Sequence, residues 1–349
     1  MDEAKPILAN KTVGIACGGT GGHFYPGASI GRYCQNQGAK VVLMLGGHRI
    51  DEQTATARNM GFEPLRVPAE RLPQSKLGYV GFCWRFFRNV LYCWKMLKEN
   101  QVDLVVGMGS WASVPVCVAA NWAGIPLILH EGNIHMGQAN RFLAKYARVI
   151  GYSFPGTNIP ATSAKHVRCG MPLREEIRLA VSQQEKSRAE LREAFCREHG
   201  FEPGNPIILV FGGSQGAKVI NETVEKMLPI IRNQQRPWQF IHLTGSSDNY
   251  DLRERYQTYY ILACVAASDP EIHKLYPVAD LVVCRAGASS VFELAAFRKP
   301  AILIPFAGAK ESHQEANAAY LAAEGAAEVI RESELNAELL FNQIDTLLN

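Results

Sequence analysis

Apolar residues in this chain come in short continuous runs, each closed by glycine or a polar turn and followed by a stretch with helical spacing. The first half holds Val13–Ala16, Val41–Leu45, Leu104–Val106, Pro126–Leu129 and Val149–Tyr152; the second repeats the scheme with Ile207–Phe211, Phe240–Leu243, Tyr260–Val265, Leu281–Cys284 and Ala301–Pro305. Continuous rather than alternating apolar runs predict strands covered on both faces, and their alternation with helical stretches predicts parallel sheets. Each half therefore reads as a doubly wound, Rossmann-like α/β domain. The Gly and Pro of CGMPLR, Cys169 to Arg174, follow the last strand of the first half and set the boundary there, giving domains 1–170 and 171–349. The charged stretch Glu176–Gly204 opens the second domain in helical character. Two such domains side by side would leave a cleft lined by the loops at the carboxyl ends of their strands, where open α/β sheets bind ligands.

Composition narrows the class. At 349 residues, 47% hydrophobic and 20% charged, the chain is long enough for two globular domains. A formal net charge of +3 gives no bulk attraction for nucleic acid, while a local basic patch facing a membrane stays open. The nine cysteines include no C-x-x-C pair and lie mostly in apolar runs, which predicts buried free thiols rather than a disulfide framework or zinc site. No signal-peptide core and no run of about 18 apolar residues is present, so the expected location is the cytosol or the cytosolic side of a membrane.

Glycine loops carry the candidate chemistry. ILVFGGSQGAKVIN reads as a strand, a turn with Gly212, Gly213 and Gly216, and a helix whose N–H groups suit a diphosphate, with Ser214 as an added hydroxyl. Such a turn also occurs without any ligand. VCRAGASSVFE repeats the form, and its Glu293 either receives both hydroxyls of a ribose or is an ordinary early-helix glutamate. Together the two loops favour a nucleotide diphosphate. No G-x-x-x-x-G-K-[ST] loop is present, which disfavours phosphoryl transfer from a triphosphate. CGGTGGH and GMGSWASVP in the first half suggest a second phosphate-bearing ligand. GGTGGH approximates a dinucleotide fingerprint, yet Gly47, His48 and Arg49 follow the next strand where an acidic residue belongs, which counts against a nicotinamide oxidoreductase.

GGTGGHFYPG, GMGSWASVP, GIPLILHEGN with GQANRFLAK, GMPLR, FGGSQGAKVIN, ADLVVCRAGASSVFELAA, and PAILIPF followed by HQEANA occur in one order along nearly the whole chain. In that order the chain resembles the MurG family of glycosyltransferases. The resemblance implies the GT-B fold and an inverting transfer, without metal or other cofactor, of GlcNAc from UDP-GlcNAc to the C4 hydroxyl of the muramoyl sugar in lipid I, giving lipid II. It further implies a peripheral place on the cytoplasmic face of the membrane, with other cell-wall synthesis proteins as possible partners. It would set Thr20, Gly21 and Gly22 by the incoming sugar and phosphates, and Asn133 and Arg174 on the donor. Ser214 would lie by the diphosphate, and Ala288, Ser289 and Ser290 through Glu293 by the nucleoside. His313, Gln314 and Asn317 would correspond to the stretch that holds the GlcNAc hydroxyls, Gln314 being the direct contact. In this fold the closing helix, here Asn336–Leu348, often crosses back onto the first domain. The sequence departs from the family at Gly132, where many members have glutamine, and at Trp111, where tyrosine is common. Ser268–Ile272 replaces a loop often reading Phe-Ile-Asp-Asp-Met, so the residue that would contact uracil is unassigned. Related lipid glycosyltransferases with another UDP-sugar, and a homologue that binds without turnover, are the competing functions.

An inverting displacement needs a base for the attacking hydroxyl. His23 is the first candidate, because an imidazole with an ordinary pKa of about 6.5 accepts protons at neutral pH. The same histidine could instead orient its loop or bind phosphate. Glu131, with His130, is the second candidate, or else positions Asn133. Leu72–Leu97 interleaves Phe82, Trp84, Phe86, Phe87, Leu91, Tyr92 and Trp94 with Lys76, Arg85, Arg88 and Lys95, a composition suited to an anionic lipid surface. One helix face must pack on the sheet; two aromatic faces cannot both be buried in one seam, so part of the stretch is expected to face lipid.

Overall fold

The structure, a computed structural model, describes residues 6–70, 73, 78–213, 217–245, 252–308 and 312–349, with the backbone alone at 78 and 184–187. The chain divides into two compact units, Met1–Arg174 and Glu175–Asn349, so GMPLR stays with the first. The first unit runs β1 (Thr12–Gly18), α1 (Gly21–Asn36), β2 (Lys40–Gly46), α2 (Ile50–Asn59), β3 (Leu65–Arg66), α3 (Gly78–Glu99), β4 (Leu104–Gly107), α4 (Val114–Trp122), β5 (Leu127–Glu131), α5 (Gln138–Leu143), β6 (Val149–Tyr152) and β7 (Lys165–Arg168). The second runs α6 (Glu175–His199), β8 (Ile207–Phe211), α7 (Lys218–Asn233), β9 (Gln239–Leu243), α8 (Leu252–Thr258), β10 (Ala263–Ala266), α9 (Ile272–Val278), β11 (Leu281–Cys284), α10 (Ala288–Ala296), β12 (Ala301–Leu303), α11 (His313–Ala323), β13 (Ala327–Val329) and α12 (Ala337–Leu348).

Both sheets are parallel throughout. Their strand orders are β3-β2-β1-β4-β5-β6-β7 and β10-β9-β8-β11-β12-β13. In each the order reverses beside one strand, between β1 and β4 in the first and between β8 and β11 in the second. Such switch points leave crevices at the carboxyl ends of the strands. The loops after β1, β4, β8 and β11 are the four glycine loops of the sequence.

The strands are apolar on both faces because both faces are covered. Val13, Ile15 and Cys17 of β1 join Phe24 and Ala28 of α1 in one cluster; Ala16 joins Met44, Val105 and Cys117 in the other. Burial pushes the thiols of Cys17, Cys93 and Cys117 up to about 12, which makes them inert packing groups. The expectation of buried thiols fails at Cys83, on the outer side of α3, and at Cys169, beyond β7; both are exposed.

Short edge strands escaped the apolar pattern. All four residues of β7, Lys-His-Val-Arg, are exposed, so nothing selected for an apolar run there. The strand expected at Tyr260–Val265 begins only at Ala263, because Tyr260 takes the left-handed conformation (φ 56°) that closes the α8 turn. The closing helix α12 packs on α7 of its own unit. Phe341 meets Trp238 with ring centroids 5.0 Å apart, and Arg236 pairs with Asp345 at 2.7 Å.

Candidate active site

Three loops of the first unit meet at its switch point, and glycine is what lets them meet. Gly18 has φ 133°, and a Cβ there would stand 2.5 Å from Gly46 O; a Cβ on Gly47 would stand 3.1 Å from Gly19 Cα. One turn along α1, Gly27 seats the helix on the sheet, where a Cβ would press to 2.9 Å from that of Cys17. Gly22 differs. A Cβ there would find nothing nearer than Thr20 Oγ1 at 3.8 Å, so the packing of the protein itself does not require glycine at this exposed position. Gly21 precedes it as the first residue of α1.

Thr20 occupies the N-cap position of α1, but its hydroxyl bonds His23 Nδ1 at 2.9 Å and makes no capping bond to the helix backbone. The other ring nitrogen of His23 lies against Gly109, where a Cβ would come within 3.4 Å of Nε2. Gly109 and Ser110 follow β4 with φ of 85° and 67°. Ser110 is a rare non-glycine residue in that region. Its Oγ accepts the Ala112 N–H at 3.1 Å, and Ser113 Oγ–H is shared by Gly109 O and Ser110 O, both at 2.9 Å, which holds the turn in shape.

Glu131 ends β5 at 3% exposure, and both its oxygens are engaged. Oε1 accepts the Asn133 N–H at 2.9 Å and Asn133 Nδ2 at 3.2 Å; Oε2 accepts the Gly137 N–H at 3.1 Å and Asn140 Nδ2 at 2.9 Å. With four donors on one buried carboxylate, Glu131 is placed to brace the loop that carries Asn133. His130 is buried beside it. Its Nε2 lies 3.2 Å from Gly170 O and 3.3 Å from Ser153 Oγ, and desolvation holds its pKa below the ordinary imidazole value. Asn140, which the sequence reading missed, donates also to His130 O at 2.9 Å and so ties this loop to the neighbourhood of His23 and Gly109. Arg174 lays its guanidinium over the ring of Tyr25 on α1, 5.0 Å from the centroid.

In the second unit, Gly212 and Gly213 follow β8, and Ser214 lies outside the described residues. After β11, Gly287 is the N-cap of α10, whose first turn is Ala288, Ser289 and Ser290. The hydroxyl of Ser289 is buried and has no hydrogen-bond partner among the described residues, an arrangement that costs free energy unless something supplies the bond. Glu293 is buried on the same helix and accepts Tyr276 Oη–H at 2.9 Å. His313 opens α11, and Gln314 Oε1 accepts the Phe306 N–H at 2.9 Å. Asn317 is wholly buried, with its Nδ2 donating to Ala286 O at 3.2 Å, which ties α11 to the β11–α10 loop. Ser268–Ile272 contains a tight turn in which Asp269 Oδ1 accepts the Glu271 N–H at 2.7 Å. Tyr276 and Arg285 were also missed by sequence reading; Arg285, just past a strand end, is the one its position could have flagged.

α3 carries a separate feature. Val90, Cys93, Met96 and Leu97 are buried, while Val80, Trp84, Phe87, Leu91 and Trp94 recur at helical spacing on the exposed side. Trp122 of α4 extends the stripe, 6.0 Å from Phe87 between ring centroids. Arg88, Lys95 and Lys98 are exposed on the same helix.

Comparison with known proteins agrees with this architecture. Residues 13–151 match the N-terminal domain of glycosyltransferase family 28, and residues 207–349 match its C-terminal domain. A UDP-N-acetylglucosamine–N-acetylmuramyl-(pentapeptide) pyrophosphoryl-undecaprenol N-acetylglucosamine transferase of Elusimicrobium minutum is 32% identical over 95% of this chain and 88% of its own length. That of Geobacter sulfurreducens is 34% identical over 96% and 89%. Among solved structures, Acinetobacter baumannii MurG superposes with a TM-score of 0.72 at 27% identity, covering 97% of this chain and 91% of its own. The doubly wound units are those of the GT-B fold. With both halves matched in order and relatives above 30% identity along almost the entire length, the chain belongs to the MurG family within glycosyltransferase family 28.

Proposed function

We propose that this protein moves GlcNAc from UDP-GlcNAc to the C4 hydroxyl of the N-acetylmuramyl sugar in the pentapeptide pyrophosphoryl-undecaprenol acceptor, with inversion and without a metal. The observation that carries the reading is the likeness over about the whole chain to transferases of that name. In the proposed step the acceptor oxygen bonds to C1 of GlcNAc, the bond from C1 to the diphosphate oxygen breaks, and UDP leaves with the electron pair.

His23 supports the role of base. If Nδ1–H donates to Thr20 Oγ1, Nε2, which lies beside Gly109, is the nitrogen left to take up a proton. The substrate proton would then pass to Nε2. In the second unit the N–H groups at the start of α10, with the unpartnered Ser289 hydroxyl, suit the nucleotide, and Glu293 suits the ribose hydroxyls. Asn133, Arg174 and Gln314 are read as donor contacts, with Glu131 and Asn317 as positioning residues. The exposed stripe of α3 is read as the face that meets lipid, its basic flank suiting an anionic surface. Among the described residues no helix is long and apolar enough to cross a membrane.

The test is to incubate purified protein with UDP-GlcNAc and a short-chain analogue of the lipid acceptor, EDTA present, and to follow UDP and disaccharide together. Equal release of both that is lost in Glu293→Ala is the expected result. Tight UDP binding with no disaccharide from any UDP-sugar would refute the assignment.

A further inference from the structure

Phe306 is an exposed aromatic ring that the fold holds still. It lies beyond β12, on the way to α11, with 46% of its surface open. Its N–H donates to Gln314 Oε1 at 2.9 Å. The Arg285 guanidinium lies over the ring, 5.3 Å from the centroid. That guanidinium is buried and pinned in turn by Ile304 O at 3.2 Å, Pro305 O at 3.3 Å and Glu332 Oε2 at 2.6 Å. Gly308 brings the chain against the ring edge, where a Cβ would stand 2.8 Å from Cζ.

A lone exposed phenylalanine is ordinary on a protein surface. This one sits on a fixed cationic base, and its backbone is tied to the residue read above as a sugar contact. Core packing does not account for it, since nearly half of the residue's surface is open. A ring already immobilised loses little entropy when something covers it. Pyranose sugars present patches of C–H groups between their hydroxyls, and an aromatic face is a suitable partner for such a patch, while the Gln314 amide nearby provides for a hydroxyl.

We propose that Phe306 is a platform for the donor's sugar, a specificity-determining residue that takes a C–H face of the N-acetylhexosamine. The proposal rests on the transferase reading above and adds to it a residue that distinguishes the sugar from the nucleotide. The Arg285 contact keeps the ring in place from beneath, and Gly308 leaves room for it.

Isothermal titration of the full chain with UDP-GlcNAc, and separately with UDP, tests this. Covering roughly 50 Å² of ring is worth about a factor of ten in affinity. Phe306→Ala should therefore weaken UDP-GlcNAc about tenfold and leave UDP within twofold, while Phe306→Tyr stays near wild type for both. Gly308→Ala, which pushes the ring aside without removing it, should weaken UDP-GlcNAc selectively as well. Equal losses for UDP and UDP-GlcNAc in Phe306→Ala, or no loss for either, would overturn the platform. Wild-type protein that binds UDP but not UDP-GlcNAc would instead overturn the transferase reading on which it stands.

Discussion

Glu131→Gln separates two roles that the sequence left together. In the structure each carboxylate oxygen accepts two N–H groups, from Asn133 and from Gly137 and Asn140. Glutamine keeps the shape but turns one acceptor into a donor, so two of the four bonds become N–H facing N–H in a buried place. Each buried bond lost in this way costs about 1–3 kcal/mol, giving about 4 kcal/mol against the observed conformation of the 132–140 loop. Hydrogen exchange across that loop should accelerate, and kcat/KM for UDP-GlcNAc should fall by about a hundredfold or more. Asn140→Ala removes a bond from the same carboxylate and should produce a loss of the same kind, with the double variant little worse than Glu131→Gln alone. The dependence of kcat on pH should keep its shape in the residual activity, because on this reading Glu131 moves no proton. Loss of the acidic limb in Glu131→Gln, with exchange of the loop unchanged and Asn140→Ala near wild type, would refute the brace and return Glu131 to the chemistry.

Other consequences are direct. His242 is fully buried between Tyr256 Oη at 2.9 Å and Asn221 Oδ1 at 3.1 Å, and burial lowers its pKa from 6.5 to about 3. The unfolded chain thus binds a proton that the folded one refuses, so the second unit should lose about 1.4 kcal/mol per pH unit as pH falls from 6.5 toward 3, a slope that His242→Gln should flatten in urea titrations read by exchange at β9. Gly109→Ala combines a left-handed φ of 85° with a Cβ at 3.3 Å from His23 Cδ2, and should lower kcat about tenfold or more with little change in KM for the donor, as stopped assays at saturating donor would show. Trp84→Glu, on the exposed stripe of α3, should reduce sedimentation with anionic vesicles while activity on a soluble acceptor analogue persists.

The α/β architecture was legible because a strand buried on both faces must be apolar throughout. β1, β8 and β11 announce themselves that way; β7, exposed at all four residues, has no such constraint and was invisible. Glycine was legible as a sign of close approach but not of what approaches. Gly18 and Gly27 answer to β2 and to Cys17 within the protein, whereas at Gly22 no close approach among the described residues calls for glycine. A sequence motif writes these three with the same letter, and the distances alone divide them.

Bracing residues are hidden for a related reason. A residue that contacts a ligand and a residue that orients the contact carry the same chemical groups, so Glu131 and Asn317 read from the sequence as candidates for direct action. What distinguishes them is how many of their hydrogen-bonding positions the fold already uses. Glu131 gives all of its acceptor capacity to one loop, and Asn317 is closed from solvent, while the Ser289 hydroxyl is buried with its bond unmade. Since an unmade buried bond costs more than a made one contributes, an unsatisfied hydroxyl at the start of a helix that follows a glycine loop, as at Ser289, is a place where a ligand is expected, and saturated groups such as the Glu131 carboxylate are what hold a loop ready.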